Sequence, residues 1–288
     1  MIVEKEISDV QVDMMDYEKT KVLMDVYDIK FLVDLLRRYK PKNMLEVGVA
    51  AGGSTYYILK NLGPKARLTS VDIRERWFGD ESKETGFVVS ELMGEIKEDR
   101  WKKLFGKDIV YYEDQMKERG PFDFVFIDTV HSMPGEFLTF LAILPFVKNG
   151  TPIVFHDTFL HYHLMVRDEP FLTATMKDDR LDEVSLNQYC NNLLTSSASS
   201  RHKEIPKTHC NIGMLIKDRS TTKNILDVIR TMCIPWFYMP PKDMLDRYSE
   251  FMKRYYDETC SKYFDMCIEY ETKYFSIPHR MMLYSDNE

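Results

Sequence analysis

Four carboxylates stand at the ends of short apolar runs in this 288-residue chain. Glu46 sits in Met44-Leu45-Glu46-Val47-Gly48 and Asp72 closes Leu68-Thr69-Ser70-Val71-Asp72. Asp128 closes Phe124-Val125-Phe126-Ile127-Asp128 and Asp157 closes Ile153-Val154-Phe155-His156-Asp157. After the first run, Gly48-Val49-Ala50-Ala51-Gly52-Gly53 forms a small-residue turn that opens a helix at Ser54-Thr55. Such a turn lets a ligand approach the backbone closely, and the first N–H groups of the helix suit an anion. An acid at the tip of the second strand can accept both hydroxyls of a ribose. The pattern describes a nucleoside-binding α/β domain, with Glu46, Gly48, Gly52, Gly53, Ser54 and Asp72 as its binding candidates.

The details choose the nucleoside. A dinucleotide fingerprint reads G-x-G-x-x-G and holds a pyrophosphate at the helix start. Here the turn reads Glu46-x-Gly48-x-Ala50-x-Gly52, with an acid just before it. That acid repels a pyrophosphate and suits a cationic amine. S-adenosylmethionine carries an ammonium, a sulfonium and a ribose, and no phosphate. The motif resembles the first motif of class I S-adenosylmethionine-dependent methyltransferases, usually E/D-x-G-x-G-x-G. Ala50 departs from it as in the catechol O-methyltransferase-like and the macrolide or sugar O-methyltransferase-like branches.

Asp128 and Asp157 carry the second constellation. Phe126-Ile127-Asp128-Thr129-Val130-His131 places a histidine three residues after an acid, and Phe155-His156-Asp157-Thr158 pairs a histidine with one. Two carboxylates on neighbouring strands are a reasonable oxygen pair for Mg²⁺. The set resembles the metal-dependent O-methyltransferases of catechol, macrolide and cephamycin type over about residues 28–160. The broader pattern of loop, Asn211-Ile212-Gly213 strand and aromatic helical tail resembles methyltransferases of bacterial surface-glycan pathways. The resemblance implies Asp128 and Asp157 as metal ligands, Asp128 also beside the cofactor, and Asp114 as the adenine contact after the third strand. His131, or else His156, would deprotonate an acceptor hydroxyl, because an alcohol is a weak nucleophile until its proton leaves. His156 stands where those relatives have an acid, and imidazole is a poor Mg²⁺ ligand.

Elements must bring these residues to one rim. Residues 28–36 show apolar positions at helical spacing, with Asp28 as the expected cap. Arg37-Arg38-Tyr39-Lys40 suits a helix end, and Pro41 closes it. Strands are expected at 44–48, 67–72, 109–113, 122–128 and 152–157, with helices at 54–61 and 133–147 and a charged loop plus helix over 74–104. Lys148-Asn149-Gly150 is a helix stop. Alternating strands and helices imply a parallel sheet with ligands at the carboxyl ends of its strands. The expected fold is α/β: a doubly wound, mostly parallel, seven-strand-type sheet of Rossmann-like methyltransferase form with a helical C-terminal extension.

The domain reading is an N-terminal helical segment (1–40), a cofactor-binding domain (41–218) with an insertion (159–206), and a helical extension (219–288). Residues 210–216 read as a further strand, and the run at 195–200 as flexible loop. The aromatic tail, from Tyr248 to Phe275, reads as helix packing, a lid or a homodimer interface.

Composition narrows the class. Hydrophobic content of 44% and charged content of 30% suit a soluble globular protein. A net charge of −7 argues against a nucleic-acid partner. No apolar run reaches membrane-spanning length, and the acidic N-terminus lacks a signal-peptide core. The five scattered cysteines read as reduced thiols of a cytoplasmic protein. The resulting expectation is an S-adenosylmethionine-dependent O-methyltransferase acting on a sugar, glycan or other small metabolite. Its rivals are a non-catalytic S-adenosylmethionine-binding or assembly subunit and a nicotinamide-dependent oxidoreductase.

Overall fold

Phe124–Ile127 is a four-residue run with every side chain buried, the mark of a strand covered on both faces. It is β6 of a seven-stranded sheet in the order β5-β2-β1-β6-β7-β9-β8. The strands of this sheet are β1 (Asn43–Val47), β2 (Arg67–Asp72), β5 (Trp101–Phe105), β6, β7 (Pro152–His156), β8 (Lys203–Glu204) and β9 (Ile212–Ile216). Strands β5, β2, β1, β6 and β7 run parallel; β9 is antiparallel to β7, and β8 to β9. A separate hairpin joins β3 (Arg76–Trp77) and β4 (Asp80–Glu84). The computed structural model describes residues 10–130, 133–158, 203–204, 211–233, 236 and 238–274. Nearly all of the expected insertion at 159–206 therefore lies outside the described residues, as does the run at 195–200.

The helices are α1 (Met14–Lys19), α2 (Val26–Tyr39), α3 (Gly53–Asn61), α4 (Phe87–Met93), α5 (Glu113–Arg119) and α6 (Gly135–Ile143). They continue with α7 (Arg219–Lys223), α8 (Ile225–Thr231), α9 (Lys242–Tyr255) and α10 (Glu258–Tyr274). No helix among the described residues is long and apolar enough to cross a membrane.

The chain forms two compact units, dividing near the ends of β6 and β7. The first contains the sheet with α1–α5. One sheet face carries Met44, Leu68, Phe124, Phe126, Val154 and Ile212, packed with Ile29, Leu32 and Leu36 of α2 and Ile58 of α3. The second contains α6 and α7–α10. Buried Met244, Leu245, Tyr248, Phe251 and Met252 make the apolar stripe of α9. Tyr248, Phe251 and Phe264 are therefore core residues, whereas Met266 and Tyr270 of α10 are exposed. Tyr256 donates to the Leu141 carbonyl at 2.6 Å, and the Trp236 indole to that of Met232 at 2.9 Å.

Three local expectations are corrected. The third parallel strand is Trp101–Phe105, and Ile109–Tyr112 is a 3-10 turn. Asp108 caps that turn through the Val110 N–H at 2.9 Å, and the Tyr112 hydroxyl donates to the Phe105 carbonyl at 2.7 Å. The true strand was hidden by Lys102 and Lys103, which suit a sheet edge: Lys102 pairs with Glu98, and Lys103 lies over the Trp101 ring. Second, α2 is capped by Asp25, which accepts the Tyr27 N–H at 2.9 Å; Asp28 lies inside the first turn. Third, the helix expected over 133–147 spans only Gly135–Ile143, with a 3-10 turn at Leu144–Phe146.

Candidate active site

Sheet register decides which side chains meet. Glu46 is level with Ser70 and Phe126, and His156 with Ile212. Side chains alternate along a strand, so Gly48, Asp72, Asp128 and His156 each follow, by two residues, a position on the face covered by α2 and α3. Asp157 has the opposite parity. Its left-handed backbone (φ 53°) bends the chain after β7, and its carboxylate joins the same group.

The turn after β1 is held by backbone contacts. Gly48 has φ 92°, and a Cβ there would stand 1.8 Å from the Asp128 carbonyl oxygen. Gly52, at φ 96°, caps α3, and a Cβ there would stand 2.9 Å from the Gly86 Cα. Ala50 takes φ 49°, where the usual motif has glycine. Asp72 clasps the turn: Oδ2 accepts the N–H groups of Val49 (2.9 Å) and Ala50 (3.0 Å), and Oδ1 that of Arg74 (2.8 Å). Carboxylate oxygens have further lone pairs, so Asp72 retains acceptor capacity for a ribose.

Glu46 departs from its expected place. Its carboxylate is fully buried and turned under α3 rather than toward the open turn. Oε1 accepts from Ser54 and Thr55 at 3.0 Å, and Oε2 from Thr55 at 2.9 Å and Ser70 at 2.6 Å. The Trp101 indole donates to Ser70 Oγ at 2.9 Å, extending the network to β5. Burial pushes the Glu46 carboxyl up to about 7 against these hydroxyls, and the Asp128 charge adds to the rise. Glu46 thus fixes the start of α3, and the Ser54 hydroxyl is committed to it. What α3 offers an anion is its first backbone N–H groups.

Asp128 borders a pocket of about 40 Å³ with Gly48, Val49, Ala50, Ala51, Gly53 and Ser54. Lys21–Met24 forms its other wall, and Val22 packs directly on Gly53. The segment before it is tied to α3 by Asp16, which accepts from Tyr56 at 2.8 Å and pairs with Lys60.

His156 lies between two carboxylates. Nδ1 is 3.0 Å from Asp128 Oδ1 and Nε2 is 3.3 Å from Asp28 Oδ2. Asp28 is 1% exposed, whereas the Asp128 side chain is 22% exposed. Asp128, His156 and Asp157 each offer a ligand atom, all within 4.8 Å of one another, a spacing that fits a single cation. The expected Asp128–Asp157 pair is thus brought together, with His156 as a third donor.

One candidate falls elsewhere, and one lies outside the described residues. Asp114 does not end a strand: it lies in the first turn of α5, its side chain 94% exposed and 3.6 Å from Lys117. The positional reason for giving it the adenine contact therefore fails. His131 lies outside the described residues. Sequence reading missed Asp28 as a site residue by treating it as a cap. The available signal was its spacing from Leu32, Leu35 and Leu36, which puts an acid on the buried stripe of α2.

Residues 45–158 match the profile of a methyltransferase domain family. No curated protein matches the sequence. Among solved structures, a Staphylococcus aureus protein assigned as a caffeoyl-CoA O-methyltransferase aligns with TM-score 0.51 and 14% identity, covering 71% of this chain and 89% of its own. The O-methyltransferase of tomaymycin synthesis from Streptomyces achromogenes, solved with S-adenosylmethionine, aligns at 0.48 and 16%, covering 73% and 92%. An O-methyltransferase from Bacillus cereus, solved with S-adenosylhomocysteine, aligns at 0.46 and 19%, covering 73% and 93%. The S. aureus likeness extends the agreement in fold well beyond the profile match. Residues 45–158 are a methyltransferase domain, and the sheet that carries them has the class I methyltransferase fold.

Proposed function

We propose that this chain transfers the methyl group of S-adenosylmethionine to a hydroxyl oxygen of a sugar or another small metabolite. The observation that carries the reading is that Asp128 and the glycine turn border one pocket. Acid–base or metal-binding groups therefore adjoin the backbone expected to hold the cofactor.

In this reading the turn Gly48–Gly53 and the first N–H groups of α3 hold the methionyl end, and Asp72 takes the ribose hydroxyls. Bound S-adenosylmethionine supplies an electrophilic methyl on its sulfonium. The chain's task is then alignment and removal of one proton from the acceptor. His156 is poorly placed as the proton acceptor, because both ring nitrogens already face carboxylates. His131 takes that role by its spacing from Asp128. Asp128, His156 and Asp157 fit a divalent cation, which would supply Lewis acidity toward the acceptor hydroxyl. Water is kept from the cofactor turn in part by Lys21–Met24.

The test incubates the full chain with methyl-labelled S-adenosylmethionine and a panel of sugars, nucleotide sugars, glycans and phenols. Label should appear as a base-stable methyl ether. Tight cofactor binding with no product from any hydroxyl acceptor would favour a binding subunit. Binding of NAD in preference to S-adenosylmethionine would end the reading.

A further inference from the structure

Asp28 belongs to no ligand-binding pattern in the sequence, yet the fold commits it to His156. Its Oδ1 accepts the Asn211 N–H at 2.6 Å, and its Oδ2 faces Nε2 of His156 at 3.3 Å. Asp128 also faces Nδ1, at 3.0 Å, but only Nδ1 adjoins a second carboxylate, Asp157; with a cation held between those two acids, the ring proton belongs on Nε2, where Asp28 accepts it. Nδ1 is then the nitrogen turned to the rim, where Asp128 and Asp157 stand.

We propose that Asp28 is the positioning residue of a metal centre: it fixes His156 as an Nδ1 ligand, so that Asp128, His156 and Asp157 select a first-row transition ion such as Mn²⁺ over Mg²⁺. Mg²⁺ favours all-oxygen sites, whereas imidazole suits the transition ions. A metal-binding histidine commonly gives its other N–H to a carboxylate, which orients the ring and strengthens its donor nitrogen. Asp28 supplies that carboxylate from the first turn of α2, dry and held by a second hydrogen bond. The inference rests on the proposed function for what the ion does, and on geometry alone for its binding.

The test uses the full chain stripped with chelator, then titrated separately with manganese chloride and magnesium chloride by calorimetry. Pulsed electron paramagnetic resonance of the Mn²⁺ form reads nitrogen ligation. One Mn²⁺ should bind per chain, at least about tenfold tighter than Mg²⁺. Its nitrogen coupling should vanish in His156→Asp. Asp28→Asn keeps an oxygen for the Asn211 N–H but turns an amide donor toward Nε2, moving the ring proton to Nδ1. Mn²⁺ affinity should then fall about 10- to 100-fold, with a smaller change for Mg²⁺. In the His156→Asp background the same substitution should no longer discriminate between the ions.

A merely structural Asp28 would weaken both ions alike in both backgrounds, which would overturn the proposal. So would equal affinity for Mg²⁺ and Mn²⁺, or no nitrogen coupling in the unsubstituted chain. These two readouts decide the matter if Asp28→Asn does not fold. Methyl transfer without metal binding would remove this inference and leave the proposed function. Metal binding without transfer would do the reverse.

Discussion

Replacing Glu46 with Gln should change how stability depends on pH. The acid's folded value rises from 4.5 to about 7 because burial outweighs its hydroxyl partners. The unfolded chain releases this proton near the ordinary value, while the folded chain keeps it until about pH 7. Across that window the unfolded state binds fewer protons, so folding stability falls as pH rises. From about pH 5 to about pH 8 the loss is about 2.5 kcal/mol. Gln is nearly isosteric with the protonated acid. Its oxygen can accept from Ser54 and Thr55, and its amide can donate to Ser70 once that hydroxyl turns. Glu46→Gln should therefore match the unsubstituted chain near pH 4 and exceed it by about 3 kcal/mol near pH 8. Urea titrations read by amide exchange in β1 and β2 confine the measurement to the first unit. A stability difference that stays flat with pH would refute the buried, proton-holding Glu46.

Asp72→Ala removes the acceptor of three backbone N–H groups, and should lower stability and weaken S-adenosylmethionine binding by roughly 1–3 kcal/mol each. Calorimetry showing unchanged cofactor affinity would separate the clasp from ribose binding. Gly48→Ala forces a Cβ to 1.8 Å from the Asp128 carbonyl at a positive φ, so a loss on the order of 3 kcal/mol should appear in thermal unfolding. A loss within measurement error would contradict the close approach of β1 and β6. In the second unit, Cys233 and Cys267 have sulfurs 3.4 Å apart. Diamide should join them as an intramolecular disulfide found by peptide mapping, and a crosslink through Cys260 instead would count against this packing.

The chain's own pattern determined the sheet's centre, the glycine turn and the acids at the strand ends. Residues such as Phe124–Ile127 admit little besides a doubly covered strand, and small residues after β1 admit a close turn. These are local matters of periodicity and steric room. Tertiary structure decided what local pattern could not. It made Trp101–Phe105 the edge strand despite its lysines, because the indole could reach Ser70 and the ammonium groups could face water. It turned Glu46 inward, because three hydroxyls from α3 and β2 compensate a carboxyl where an open turn would leave it to solvent. It took Asp114 off a strand end and into the first turn of α5, because a capped 3-10 turn stands where the strand was expected. Above all it joined Asp28 to His156 across 128 positions of sequence. Strand alternation directs His156 to the face that α2 covers, and only the packing of that helix puts a carboxylate opposite the ring.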